Sequence, residues 1–153
     1  MRPTRWKGLT LVPLATLVVL LLVAIETRAH DQAGSLGTAA SATDYYRITC
    51  FDDGSGPPAS LVIQVRDSSP GAAPRVSAQM QRGSALASTS DDLAADILPS
   101  PEIVLDEGAG VYHVLVDKTG AGPKFYQLTY HCWTGPGGTG IHTGSSHSVR
   151  QDQ

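Results

Sequence analysis

The five histidines are the side chains of this 153-residue sequence that are best suited to chemistry near neutral pH. His113 and His131 lie on the polar sides of two segments that alternate apolar and polar residues, with a loop from 118 to 124 between them. If these segments pair as a hairpin about Ala121, the two imidazoles become diagonal neighbours, about 7–8 Å apart between backbones. Imidazole suits copper and zinc, so this arrangement predicts a metal site on His113 and His131.

The other three histidines extend the possibility of a metal site. His142 and His147 lie near the end of the chain, where they could add ligands. His30 offers a ring nitrogen and an α-amine together if the chain is cut just before it. The main interpretation is that these are surface histidines that bind no metal, since the residue is common at exposed strand positions, and the metal site is the alternative.

Carboxylates in loops offer calcium as a further cofactor. The candidate oxygen donors are Asp52 and Asp53 in one loop and Asp91, Asp92 and Asp96 in another. They do not follow the D-x-D-x-D-G spacing of an EF-hand. Solvated turn residues are the main explanation for both groups, and a calcium site is the alternative.

Motifs for catalysis are mostly missing from the sequence. Residue types for a Ser/His/Asp hydrolase are present, but such a triad is recognised by geometry, which no pattern here fixes. Gly135–Gly140 matches G-x-G-x-x-G, yet no helix-forming segment follows to hold a pyrophosphate. We therefore expect a secreted or periplasmic binding or accessory module that is not an enzyme. The alternative is a periplasmic protein that binds copper or zinc through its histidines, and a small hydrolase is a third class.

The first 29 residues predict export. Arg2, Arg5 and Lys7 precede an apolar run over 9–25, and small residues at Thr27 and Ala29 flank a plausible cleavage point. This is the layout of a secretory signal peptide, and it places the mature protein outside the cell or in a periplasm. An uncleaved membrane anchor is the alternative, although the run is short for one.

The charge of the mature chain excludes two classes of partner. Cleavage after Ala29 removes four of the 11 Lys/Arg and one of the 14 Asp/Glu, so seven basic and thirteen acidic residues remain, a net charge of −6. Nucleic acids and anionic membranes require clustered positive charge. The expected partner is an extracellular ligand or protein of unknown identity.

The rest of the sequence divides into a flexible leader over 30–43, a β-sandwich domain over 44–133 and a disordered Gly/Ser/His tail over 134–153. Apolar and polar residues alternate in five segments of the domain, at 45–51, 61–66, 75–81, 111–117 and 125–133. Turn-forming residues separate them, which predicts a small antiparallel, jelly-roll-like β-sandwich. Weaker strands are expected at 85–89 and 103–105, and a helical turn at 90–98, with Ser90 as its N-cap.

The two cysteines, Cys50 and Cys132, both fall on the faces assigned to the core. An even cysteine count in an exported chain predicts a disulfide between them.

The order of these segments resembles that of the bacterial pre-peptidase C-terminal domain family. The matching elements are a D-x-Y-x-hydrophobic strand, a Leu/Val-rich strand, a small-residue stretch, a G-x-Y-x-V-x-V strand and a Y-x-L-x partner, at 44–48, 61–65, 85–91, 110–116 and 126–129. The resemblance implies a non-catalytic β-sandwich that accompanies secreted enzymes and is sometimes calcium-dependent.

Mass spectrometry of the exported protein tests the predicted signal. We expect a mature chain that begins at His30, because cleavage follows small residues. A mature protein that still carries Met1 would contradict this expectation.

Overall fold

Ten β-strands account for nearly all the regular structure of residues 30–153, the part of the chain that the computed structural model describes. The predicted signal peptide, 1–29, lies outside the described residues. The strands are β1 (His30–Leu36), β2 (Asp44–Phe51), β3 (Ser60–Asp67), β4 (Val76–Arg82), β5 (Ala85–Asp91), β6 (Ile103–Leu105), β7 (Gly110–Lys118), β8 (Lys124–Gly135), β9 (Thr139–His142) and β10 (Gly144–Gln151). In residues 30–153, no helix is long and apolar enough to cross a membrane.

The strands form two antiparallel sheets. The first sheet has the order β1-β8-β3-β6, with β9 also paired to β8, and the second has the order β10-β2-β7-β4-β5. This arrangement confirms the predicted all-β, antiparallel β-sandwich.

The core lies between the sheets and follows the alternation in the sequence. Tyr46, Ile48 and Cys50 of β2 are buried, and the residues between them are only partly buried. The same holds along β8, where Tyr126, Leu128, Tyr130 and Cys132 point inward. Because a strand presents successive side chains to opposite faces, the core residues of β8 leave the intervening ones, His131 among them, on the outer face.

The chain ends are more ordered than their composition predicts. The expected flexible leader contains β1, and the expected disordered tail contains β9 and β10. These strands bury few side chains, and in β10 only Gly144 is buried. Their order comes from backbone pairing, β1 and β9 with β8 and β10 with β2, which a local count of apolar residues does not register.

The expected helical turn over 90–98 is wrong. Ser90 belongs to β5, and its hydroxyl contacts that of Ser77 at 2.8 Å on the neighbouring strand. The chain leaves the strand through an irregular turn in which Asp91 Oδ1 accepts a hydrogen bond from the Leu93 amide. Strand pairing thus outweighs the capping preference of Ser90.

A buried ion pair fixes the start of β8. Lys124 Nζ donates to Asp67 Oδ2 at 2.7 Å, and both side chains are 1% exposed. Lys124 also donates to the carbonyl of Gly71, so its charge is both paired and hydrogen-bonded. Because an unpaired charge at this depth costs several kcal/mol, roughly 3–5 when one partner is removed, the pair holds the end of β3 to the start of β8.

The predicted disulfide is present. Cys50 of β2 is bonded to Cys132 of β8, with Cα atoms 5.7 Å apart and a sequence separation of 82. The bond therefore joins the two sheets across the core.

Replacing both cysteines, C50A/C132A, should lower the free energy of unfolding by about 2–5 kcal/mol, because the bond constrains a long loop in the unfolded chain. Denaturant unfolding measures the loss. The wild-type protein unfolded under reducing conditions is the matched control and should show the same loss. Free thiols in the unreduced, unfolded wild type would contradict the assignment.

Candidate functional site

Two short strands share one edge of β8 and leave a gap between them. Trp133 pairs with Ser60 of β3 on one side and with His142 of β9 on the other, so β9 lies on the edge opposite β3. β1 occupies the same edge and begins with His30 opposite Tyr130. Only residues 131 and 132 of β8 separate the ends of these two neighbours.

An aromatic cluster forms on the outer face beside the gap. His142 lies opposite Trp133, and its ring centroid is 4.0 Å from the indole. The His131 ring is 4.5 Å from the His142 ring, with an angle of 22° between their planes. The Nδ1 atom of His131 is buried and has no hydrogen-bond partner among the described residues.

His30 brings a third imidazole to the gap, from the core side of the sheet. Its ring stacks on Tyr130 with centroids 5.5 Å apart. Its Nδ1 lies 3.1 Å from Ser145 Oγ on β10. The edges of the two sheets, β1 and β10, are therefore in contact at this end of the sandwich.

These side chains line a cleft of about 750 Å³. His30, His131, Trp133 and His142 lie on its walls. Phe51, which is 43% exposed, also lines it. The cleft thus combines apolar surface with three of the five histidines of the chain.

The electrostatics of the cleft favour the neutral form of the His131 and His142 imidazoles. Burial lowers the pKa of His131 from its usual value, and the neighbouring His142 and His30 lower it further, against a smaller opposing effect of Asp31. Burial is also the main cause of a lowered pKa at His142, followed by the proximity of His30. Neutral imidazole is the form that binds metals.

Burial also keeps the phenol of Tyr130, on which the His30 ring stacks, protonated. Desolvation, and then the charge of Asp31, raise the pKa of Tyr130 to about 12. Its hydroxyl contacts Nδ1 of His147, a β10 residue, at 2.6 Å. This contact engages His147 with the core, and His147 is not among the residues that line the cleft.

The structure does not bring His113 and His131 together. The predicted hairpin between their strands is wrong, because β7 belongs to the second sheet and β8 to the first. His113 lies between Arg47 and Gln81 of neighbouring strands, and its Nδ1 is 2.5 Å from the Tyr45 hydroxyl. The connecting loop crosses from one sheet to the other instead of reversing within one.

The acidic calcium candidates are engaged in their own turns. Asp52 accepts hydrogen bonds from the amides of Gly54 and Gly56, and Asp96 accepts one from Leu98. Asp92 pairs with Arg75 at 3.1 Å. Within residues 30–153, no three side chains of His, Cys, Asp or Glu are grouped so that they could hold one metal ion.

The sequence contains one signal for the His131 and His142 contact. Pro136–Gly138 forms a single 3-10 turn between β8 and β9, and Gly137 and Gly138 have φ values of 64° and 72°. A Pro-Gly-Gly turn predicts a reversal. With Gly135 opposite Thr139, a regular hairpin would place residue 141 opposite 133, and a register shift between Trp133 and Gly135 places His142 there instead. The G-x-G-x-x-G match of this segment is therefore a hairpin turn.

The chain matches no protein-family model, no curated protein and no solved structure. The resemblance to pre-peptidase C-terminal domains stays a prediction.

Proposed function

We propose that this chain is an exported, non-catalytic binding module that holds a divalent transition-metal ion, Cu²⁺ or Zn²⁺, in the cleft beside β8. The observation that carries the proposal is the pair of rings of His131 and His142 in the cleft wall.

The two rings are close enough to reach a single ion once one of them turns. As they stand they are stacked, with centroids 4.5 Å apart and 22° between their planes, so their nitrogens do not converge. Rotation of one imidazole about its side-chain torsions would bring a nitrogen of each ring within about 2.0–2.1 Å of one ion. The buried Nδ1 of His131 has no partner in the described protein, and an ion bound there would satisfy it.

Export of the module is supported by the disulfide between Cys50 and Cys132, since such bonds persist in oxidising compartments. The signal-like sequence over 1–29 supports the same destination. The resemblance to accessory domains of secreted enzymes fits a module that acts by binding.

A second candidate is an accessory module that binds an organic ligand or a protein without metal. Phe51 and Ile141 favour it, because both line the cleft and are 43% and 58% exposed. Apolar walls with a few polar groups are typical of small-molecule sites.

Titration of the metal-free protein over 30–153 with Zn²⁺, followed by calorimetry, tests the metal proposal. H142A should weaken Zn²⁺ binding by at least about 10–100-fold, because the loss of a residue that only supports a metal ligand already lowers metal affinity by that factor. H113A is the matched control, because it removes a histidine from the other sheet, and it should bind as the wild type does.

Trp133 supplies an independent readout. It is the only tryptophan in residues 30–153, and it contacts His142, so its fluorescence should respond to Zn²⁺ in the wild type and in H113A. Wild-type protein that binds no Zn²⁺, or binds it equally well in H142A, would contradict the metal proposal. An F51A variant that alone lost an organic ligand would favour the second candidate.

A further inference from the structure

We propose that removal of residues 1–29 completes the metal site, because the new α-amine of His30 becomes a nitrogen ligand beside the rings of His131 and His142. This inference rests on the proposed function, and it names Cu²⁺ as the ion that the completed site selects.

The position of His30 beside β8 carries the argument. His30 is the first residue of β1 and lies opposite Tyr130, and His142 lies opposite Trp133 on the same edge. The backbone nitrogen of His30 is therefore at the end of β1 that borders the gap. On β8, the gap is bordered by His131 and Cys132. Both rings and His30 line the same cleft.

The chemistry of that nitrogen depends on the bond before it. In a peptide bond the nitrogen lone pair is delocalised into the carbonyl, so the atom is a poor ligand. After cleavage it is an amine with an ordinary pKa of about 7.7–8.0, and a metal ion can displace its proton near neutral pH.

An amine added to two imidazoles changes which ion the site prefers. Copper(II) binds nitrogen donors more tightly than zinc does and favours a tetragonal set. In the described residues, side chains alone do not gather three metal ligands. A backbone amine is the kind of donor that would raise the number to three.

A consequence follows for where the protein acquires its ion. In the precursor the His30 nitrogen is part of a peptide bond and is a poor ligand, so the site should hold Cu²⁺ weakly. Tight loading should begin only after the signal segment has been removed, outside the cytoplasm.

Two versions of the protein test the inference by Cu²⁺ titration against a competing chelator. One begins at His30, and the other begins at Glu26 and so keeps four residues of the precursor while leaving all five histidines in place. The longer protein should bind Cu²⁺ about 10–100-fold more weakly, and its Zn²⁺ affinity should change less. Equal thermal unfolding of the two metal-free proteins confirms that the extension leaves the fold intact.

Equal Cu²⁺ affinity of the two proteins would overturn the inference. If H142A then abolishes Cu²⁺ binding in both proteins, the proposed metal site stands without the amine as a ligand. If neither version binds Cu²⁺ or Zn²⁺, both the inference and the metal proposal fail.

Discussion

The structure depends on β8, a continuous strand of twelve residues that pairs with three other strands. β3 pairs along one edge, and β1 and β9 divide the other. Because neither of the two spans the whole edge, a gap remains where they meet. Because successive side chains of a strand point to opposite faces, Cys132 lies in the core at this gap and His131 lies on the outer face.

The same strand ties the site to the stability of the fold. Lys124 anchors the beginning of β8 through its buried ion pair, and Cys132 joins its far half to the second sheet. The imidazole of His131 is attached to the residue directly before that disulfide. Strand pairing along both edges of β8 therefore fixes the backbone that carries His131, which is what the positioning of a ligand requires.

Local periodicity was enough to predict most of the sandwich. Along β2 the inward residues Tyr46, Ile48 and Cys50 alternate with more polar outward ones. The strand, its inner face and the position of the disulfide therefore all follow from a two-residue pattern. β10 could not be predicted in this way. Its order depends on pairing with the edge of β2 across about a hundred residues of sequence, and its side chains after Ser145 are exposed.

The candidate site also combines features that the sequence predicts locally with features that depend on long-range strand pairing. Histidines 30, 131 and 142 are recognisable as possible ligands from residue type alone. Their meeting point depends on which strands share an edge, and the hairpin expected between 113 and 131 failed because consecutive strands β7 and β8 entered different sheets. Sheet assignment is a long-range property, whereas alternation is the same in either sheet.

The most direct measurement of the central claim is pulsed electron paramagnetic resonance of the protein that begins at His30, loaded with one equivalent of Cu²⁺. It resolves the nitrogen atoms bound to the metal and distinguishes imidazole from amine nitrogen. The account predicts imidazole couplings that include those of His131 and His142, together with an amine nitrogen that disappears in the protein beginning at Glu26. A spectrum that H142A leaves unchanged, with no amine coupling, would contradict the claim that the gap beside β8 is a metal site completed by the chain's new terminus.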